Sequence, residues 1–349
     1  MSSNSINSIS EFLLHAGTEY IVFDIGRGIT PVPSQTFLEI ENGTRVAPFP
    51  RQQHAWFGVV FWNKNASNQH YIWFIKLPID EQGLLIAAAR NHFLQIIIDA
   101  LGASIADDKE TASTLPDNPY SFVPTQSQLA QFNALVRLQL ALPMSDSAQQ
   151  ALAYIKAPQV VDWQKIPLQG IADIASRLQT RSLSQEIESH IIENFRLFSD
   201  TFKQTLMDMS EAIEVSEHMQ QCFISELNSS QEINLAALRA LSSAQKNDAV
   251  YKVLHDFFEA NKMNRLDILS VIAARHFQQM DAPLLLQFFE SVAEVDHCEG
   301  YDGQLFIGFF SDLVQVPQLR KMVLDTLRAP SRSDRLAAAI GKLFSQTKG

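Results

Sequence analysis

The run Ala55-Trp56-Phe57-Gly58-Val59-Val60-Phe61-Trp62-Asn63, then after a polar break Tyr71-Ile72-Trp73-Phe74-Ile75-Lys76-Leu77-Pro78, decides how the chain is read. Three of the four tryptophans sit in it: Trp56, Trp62 and Trp73. Two aromatic and β-branched runs flank Asn63–Gln69, where Asn, Lys and Ser dominate. That pattern predicts an antiparallel hairpin with a medium-length loop. A buried helix is the rival reading for any short apolar run, and the aromatic and β-branched content favours strand.

Side chains alternate between the two faces of a strand. In the first run one face carries Trp56, Gly58, Val60 and Trp62, and the other Ala55, Phe57, Val59 and Phe61. In the second, Tyr71, Trp73, Ile75 and Leu77 oppose Ile72 and Phe74. A half-solvated strand alternates apolar with polar, and these do not. Both faces therefore need a cover: local helices on one, and more of this chain or a second copy on the other. Burying one large apolar side chain stabilises by roughly 1.5–3 kcal/mol, so bare faces are costly. Phe57, Val59, Ile72 and Phe74 are expected to be buried. A homodimer through the N-terminal domain stays open.

Working outward toward the N-terminus, Ile6–Ala16 has helical spacing and stops at Gly17, and Glu19–Ile25 reads as a strand. Gly26-Arg27-Gly28 ends it, and Pro31 and Pro33 read as a loop. Ser34 suits the cap of a short helix carrying Phe37 and Ile40, with a strand over 37–40 as the alternative. After the hairpin, Asp80-Glu81-Gln82-Gly83 reads as the opening of a helix to Leu101. Residues 1–104 thus form a small α+β domain with a small antiparallel sheet. Residues 105–124, with Pro116, Pro119 and Pro124, read as a linker.

Residues 125–349 read as an all-helical, repeat-like domain. Leu129–Leu142 is helical by spacing, 158–167 is a break, and from Leu168 helices of about 10–15 residues follow one another. Val250, Val253, Leu254, Phe257 and Phe258 form one apolar face, and Leu266, Leu269, Ile272, Ala273 and Phe277 the next. Such pairs fit an α-solenoid of the HEAT or armadillo sort; without a repeat consensus a compact bundle fits too. At the end, Ser331 is expected to cap a helix whose stripe of Leu336, Ala339, Ile340, Leu343 and Phe344 packs on Leu319, Met322 and Val323. Its charges, Arg332, Arg335, Lys342 and Lys348, would face water, which suits a solenoid cap better than a membrane-surface helix.

The composition bounds the function. The 349 residues carry a net charge of −11. Residues 143–314 hold most of it, with 12 basic and 24 acidic side chains, while 315–349 hold 7 and 2. An acidic middle argues against nucleic acid, whose phosphates need Lys and Arg; Lys156, Arg177 and Arg181 would be the residues to carry any such affinity. No stretch reaches the ~20 apolar residues of a membrane span, so no stable membrane insertion is expected. Met1–Ser10 lacks the pattern of a secretory signal. Cys222 and Cys298 stand far apart and read as free thiols of a cytoplasmic protein.

Chemical signals are weak. Gly26-Arg27-Gly28 follows a strand, but Pro31 stands where a dinucleotide loop has its third glycine, so a plain turn is the better reading. Asp296-His297-Cys298-Glu299 with Asp302 is the densest set of metal-ligand types, without the spaced second pair that zinc wants or the spacing of a calcium loop. It reads as a polar turn with Gly300 and Gly303. His54, His70 and Asp80 flank the hairpin and would form an acid–base set only if they met in space. Asp24 in its strand needs a partner, and Arg27 is the nearest cation. No catalytic residue, cofactor or metal ligand is assigned.

The phrase Trp56-Phe57-Gly58-Val59-Val60-Phe61-Trp62, followed by Ile72-Trp73-Phe74-Ile75-Lys76-Leu77-Pro78-Ile79-Asp80-Glu81-Gln82-Gly83-Leu84, resembles an uncharacterised gammaproteobacterial family with no assigned activity. The resemblance runs over most of the chain from Phe12, through Tyr20-Ile21-Val22-Phe23-Asp24, and implies no chemistry. The expectation from the residues is a non-enzymatic protein-binding or scaffold module with an extended helical surface. The alternative is an enzyme with an unrecognised site at the junction of the two domains.

Overall fold

The computed structural model describes residues 7–63, 69–106, 116–178, 184–227, 233–242 and 247–346. The chain divides into two compact units: Met1–Val123 with Ser311–Arg320, and Pro124–Phe310 with Lys321–Gly349. Among the described residues there are four strands in one antiparallel sheet and sixteen α-helices.

The first unit begins with α1 (Ile9–His15). Ser8 caps it, accepting from Glu11 N at 3.0 Å, and the buried Glu41 carboxylate takes the amides of Ile9 and Ser10. These groups satisfy donors that a helix start leaves open. Strand β1 (Thr18–Asp24) pairs with β2 (Thr30–Val32), then α2 (Ser34–Glu41) leads to β3 (His54–Asn63) and β4 (Tyr71–Pro78). The sheet order is β2-β1-β3-β4. Pro31 and Pro33 were read as loop; Pro31 instead lies in β2, an edge strand, where a missing amide is tolerated. Ser34 is the first residue of α2 rather than its cap, and Pro33 precedes it without a side-chain cap bond.

The hairpin registers Phe57 opposite Ile75 and Val59 opposite Trp73. Ala55, Phe57, Val59, Ile75 and Leu77 form the core face with Ile9, Leu13, Phe37, Ile40 and Phe93. Phe37 meets Phe57 edge-on at 5.1 Å between ring centres. Ile72 and Phe74 fall opposite Val60 and Gly58, on the other face, and are half-buried rather than buried. On that face Phe23 and Val60 are buried, and Phe122 packs its ring 4.8 Å from Trp56 and 5.9 Å from Phe74. The strand edge of β4 is bonded too, by Lys76 N to Tyr120 O at 2.7 Å and Phe122 N to Phe74 O at 3.2 Å.

Asp80 does not open a helix. Its Oδ1 accepts from Gln82 N and Leu84 N, Gly83 takes a left-handed φ of 86°, and Leu85 bridges back to Ile79. The amides that would have started a helix close this turn, so α3 (Ala87–Ala106) begins later.

The second unit holds α4 (Gln126–Gln139), α5 (Asp146–Lys156), α6 (Leu168–Arg177), α7 (Ser184–Asn194), α8 (Asp200–Met209), α9 (Glu217–Leu227), α10 (Leu235–Ala240), α11 (Asp248–Glu259), α12 (Leu266–Arg275) and α13 (Ala282–Glu299). Then follow α14 (Gln304–Leu313), α15 (Arg320–Thr326) and α16 (Asp334–Gln346). The packing has a rule: α4 lies on α6, α6 on α8, α8 on α10 and α10 on α12, while α5 lies on α7, α7 on α9 and α11 on α13. Rungs between the two rows are α5 on α6, α9 on α10 and α12 on α13. Gly170 lets α6 close on α5: a Cβ there would stand 2.2 Å from Ser147 O. Helix α5 was not foreseen, because the first two turns of its buried face are Ala148 and Ala151, with the large Tyr154 and Ile155 only at its end; all four are buried.

The caps repeat with the packing. Ser145 caps α5 and its hydroxyl donates to Asp173 at 2.5 Å, 28 residues away. Ser216 caps α9 and donates to Glu188, also 28 away. Asn247 caps α11 and donates to Gln220 at 3.0 Å, 27 away. Asp281 caps α13 and accepts from Tyr251 at 3.2 Å, 30 away.

At the chain's end Ser333, not Ser331, caps α16, accepting from Leu336 N at 3.2 Å. Leu336, Ala339, Ile340 and Leu343 are buried, Phe344 is exposed, and α16 packs on α13.

Candidate functional site

In the first unit the polar residues converge on the turn after β1. Asp24 is buried; its Oδ1 accepts from Gly26 N at 2.9 Å, and its Oδ2 has no partner among the described residues. Burial pushes the carboxyl up to about 7, against the amides of Gly26 and Phe49 and the Arg27 charge. Gly26 must be glycine, since a Cβ there would stand 2.0 Å from Phe49 O. Arg27 was expected to partner Asp24. Its guanidinium instead binds Pro50 O at 2.8 Å and the Asp312 carboxylate at 2.7 Å. Asp312 also accepts from Gln52 N at 2.9 Å. The turn therefore binds a remote segment of the chain.

Asp296-His297-Cys298-Glu299 is not a turn. It is the last turn of α13, which ends at Gly300 with a left-handed φ of 73°. The long apolar face of α13, with Phe288, Phe289, Val292 and Val295 buried, carries the helix through the polar tetrad. Asp296 is buried and accepts from Gly303 N at 2.6 Å and Phe306 N at 3.0 Å, capping the start of α14. Cys298 Sγ donates to Glu294 at 3.3 Å. Asp302 pairs with Lys342. Among the described residues no group of three or more His, Cys, Asp and Glu is placed to hold a metal ion.

His54 and His70 stand at opposite ends of the hairpin. His54 opens β3 opposite Pro78, and His70 directly precedes Tyr71, which lies opposite Phe61. The span is roughly 20 Å at strand rise, so these histidines share no substrate atom. His54 Nδ1 bonds Gln52 O at 2.7 Å. Cys222 and Cys298 are free thiols, and burial pushes the Cys222 thiol up. Lys156 pairs with Glu186 at 2.7 Å, and Arg177 is buried on Leu142 O. Arg181 and Lys348 lie outside the described residues.

Two open grooves lie on α13 and α16. One, of about 770 Å³, is lined by Glu259, Asn264, Gln287, Glu290, Glu294 and Arg335 among others. Three of its acids are engaged within the chain: Glu290 takes Ser333 N at 2.8 Å, Glu294 pairs with Arg335, and Glu259 accepts from Gln287 at 2.5 Å. A second, of about 410 Å³, lies between Asp302, Gly303 and Lys342.

Another perturbed group was not visible in sequence. His276 is buried, with Nε2 on Leu238 O at 2.8 Å and Nδ1 unpartnered among the described residues. Burial pulls it down to about 4, so it is neutral near pH 7 and serves as a tie from the end of α12 to α10.

The fold and these sites define a class: a small antiparallel sheet unit joined in sequence to a large helical unit, with its polar clusters spent on internal ties. The chain belongs to the family described as protein of unknown function DUF3549, whose model matches residues 4–344. No curated protein and no solved structure matches it. No helix among the described residues is long and apolar enough to cross a membrane.

Proposed function

We propose that the protein is a non-enzymatic binding module whose helical unit is a solenoid-like stack for a partner protein. The observation that carries this is the packing rule, in which α4, α6, α8, α10 and α12 form one row of helices, each lying on the next, and α5, α7 and α9, then α11 and α13, a second. Ties at about the same sequence separation, 27–30 residues, recur from Ser145 to Asp281. A stack built this way presents two long continuous surfaces, the feature by which solenoids hold partners. Two free thiols fit a cytoplasmic setting. Binding is favoured over catalysis because the strongly perturbed groups, Asp24 and His276, are each 1% exposed and belong to different units.

Exposed apolar residues say where to look. Val160 is 86% exposed just after α5, and Leu197 is 50% exposed just after α7. Because α5 and α7 are neighbours, we take the chain that follows these two helices as the edge of the stack to test. Crosslinking in native cells with mass spectrometry should map a protein partner to that edge. The double variant Val160→Glu, Leu197→Glu should fold normally and lose the crosslinks. Crosslinks unchanged in the variant, or confined to the sheet unit, would refute the reading.

A further inference from the structure

The segment Ser311–Arg320 belongs to the sheet unit although it lies far along the chain. Leu313, Val316 and Leu319 of the segment are buried, and its polar ties include Arg27 to the carboxylate and carbonyl of Asp312, Gln52 N to Asp312, and Arg320 to the carbonyl of Glu81 at 2.9 Å. The Arg27 side chain is 1% exposed, so its bond to Asp312 is poorly screened. Three residues before it stands Asp24, a buried carboxyl with one oxygen lacking a donor among the described residues.

We propose that the Asp24–Gly28 turn is a pH-operated latch: when Asp24 gives its proton to solvent, the buried carboxylate draws on the Arg27 guanidinium, and segment 311–320 loosens from the sheet unit. While Asp24 is neutral, Asp312 is the carboxylate that Arg27 holds, beside the carbonyl of Pro50. Once it is charged, two carboxylates compete for one guanidinium, and only the amides of Gly26 and Phe49 otherwise face the new charge. Burial places this change near neutral pH. The other charged or titratable groups around the turn are Arg51 and His54 at the entry to β3 and Asp312 itself. Strand β2 brings Thr30, Pro31 and Val32, which carry no charge.

Amide hydrogen exchange on the full chain tests the latch, read at about pH 6 and about pH 8.5 and corrected for the intrinsic base-catalysed rate. Protection of segment 311–320 should fall by about tenfold at the higher pH. Amides of α6 should not change. Asp24→Asn should keep the segment equally protected at both pH values. Asp312→Asn should loosen it at both, and His54→Gln should behave as the wild type. A wild-type segment equally protected at both pH values would overturn the latch, whatever the variants do. So would a pH step that survives in Asp24→Asn, or one shared equally by α6.

Discussion

The sheet unit and the helical unit are stabilised over different distances along the chain. In the sheet unit β1 pairs with β3 across an intervening strand and helix, and Arg27 reaches Asp312 over 285 residues. In the helical unit many of the ties between helices span 27–39 residues, and longer ones, such as Gln131 to Asp208 over 77 and Arg275 to Glu211 over 64, stay well short of that reach. The first depends on a few non-local pairings; the second adds similar local interfaces one after another. A single break should therefore disable much of the sheet unit, while a break in the stack should be felt mainly by its neighbours.

The largest effect expected is in the sheet core. Phe57→Ala should cost about 3–5 kcal/mol in a denaturant melt, since the ring is fully buried against Phe37. Trp73→Ala should cost less than Phe57→Ala, because Trp73 is only half-buried. Equal losses would show that the partly buried edge of the sheet is as tightly packed as its centre.

Two glycines sharpen the contrast. Gly26→Ala and Gly170→Ala each drive a methyl into a backbone carbonyl, and each should cost about 3 kcal/mol. Exchange rates should rise across the whole sheet unit in the first. In the second they should rise mainly in α4 to α8. Uniform opening of both units in either variant would remove the distinction.

An acid titration probes the stack. His276 in the folded chain takes its proton only near pH 4, whereas the unfolded chain takes it near 6.5. The unfolded state thus binds more protons between those values, and stability falls as the pH drops through that window, by on the order of 3 kcal/mol. His276→Gln should flatten this part of the profile. An unchanged slope would mean that other groups cause the acid loss.

Smaller effects follow from the ties. Ser145→Ala removes a cap and leaves Asp173 short of a donor, which should cost about 1–2 kcal/mol. Lys156→Ala breaks an ion pair between exposed side chains and should leave the melting temperature unchanged. A clear drop there would show that the surface ties of the stack matter as much as its caps.

Much of the architecture was legible where pattern is local. The aromatic runs around Trp62 and Trp73 marked the hairpin, and the spacing of Val250, Leu254 and Phe257 marked α11. Boundaries that depend on competing hydrogen bonds were not legible. Asp80 looked like a helix opener, but its carboxylate closed a turn with Leu84. The tetrad at Asp296 looked like a turn, yet the buried face of α13 kept it helical. Helix α5 was hidden because the first half of its core side is alanine.

Sequence by itself determined the strand and helix patterns, the acidic middle and the free thiols, because these follow from side-chain period, charge and cysteine count. Tertiary structure alone decided which charges meet. Arg27 chose Asp312 over Asp24 because the fold brings a distant carboxylate within 2.7 Å and buries the nearer one facing backbone amides. It also decided which face of the sheet is dry, since register assigns Ile72 and Phe74 to the side away from Phe37 and Phe93. Burial set the charge states of Asp24 and His276, as a low-dielectric surrounding disfavours the charged form of either group.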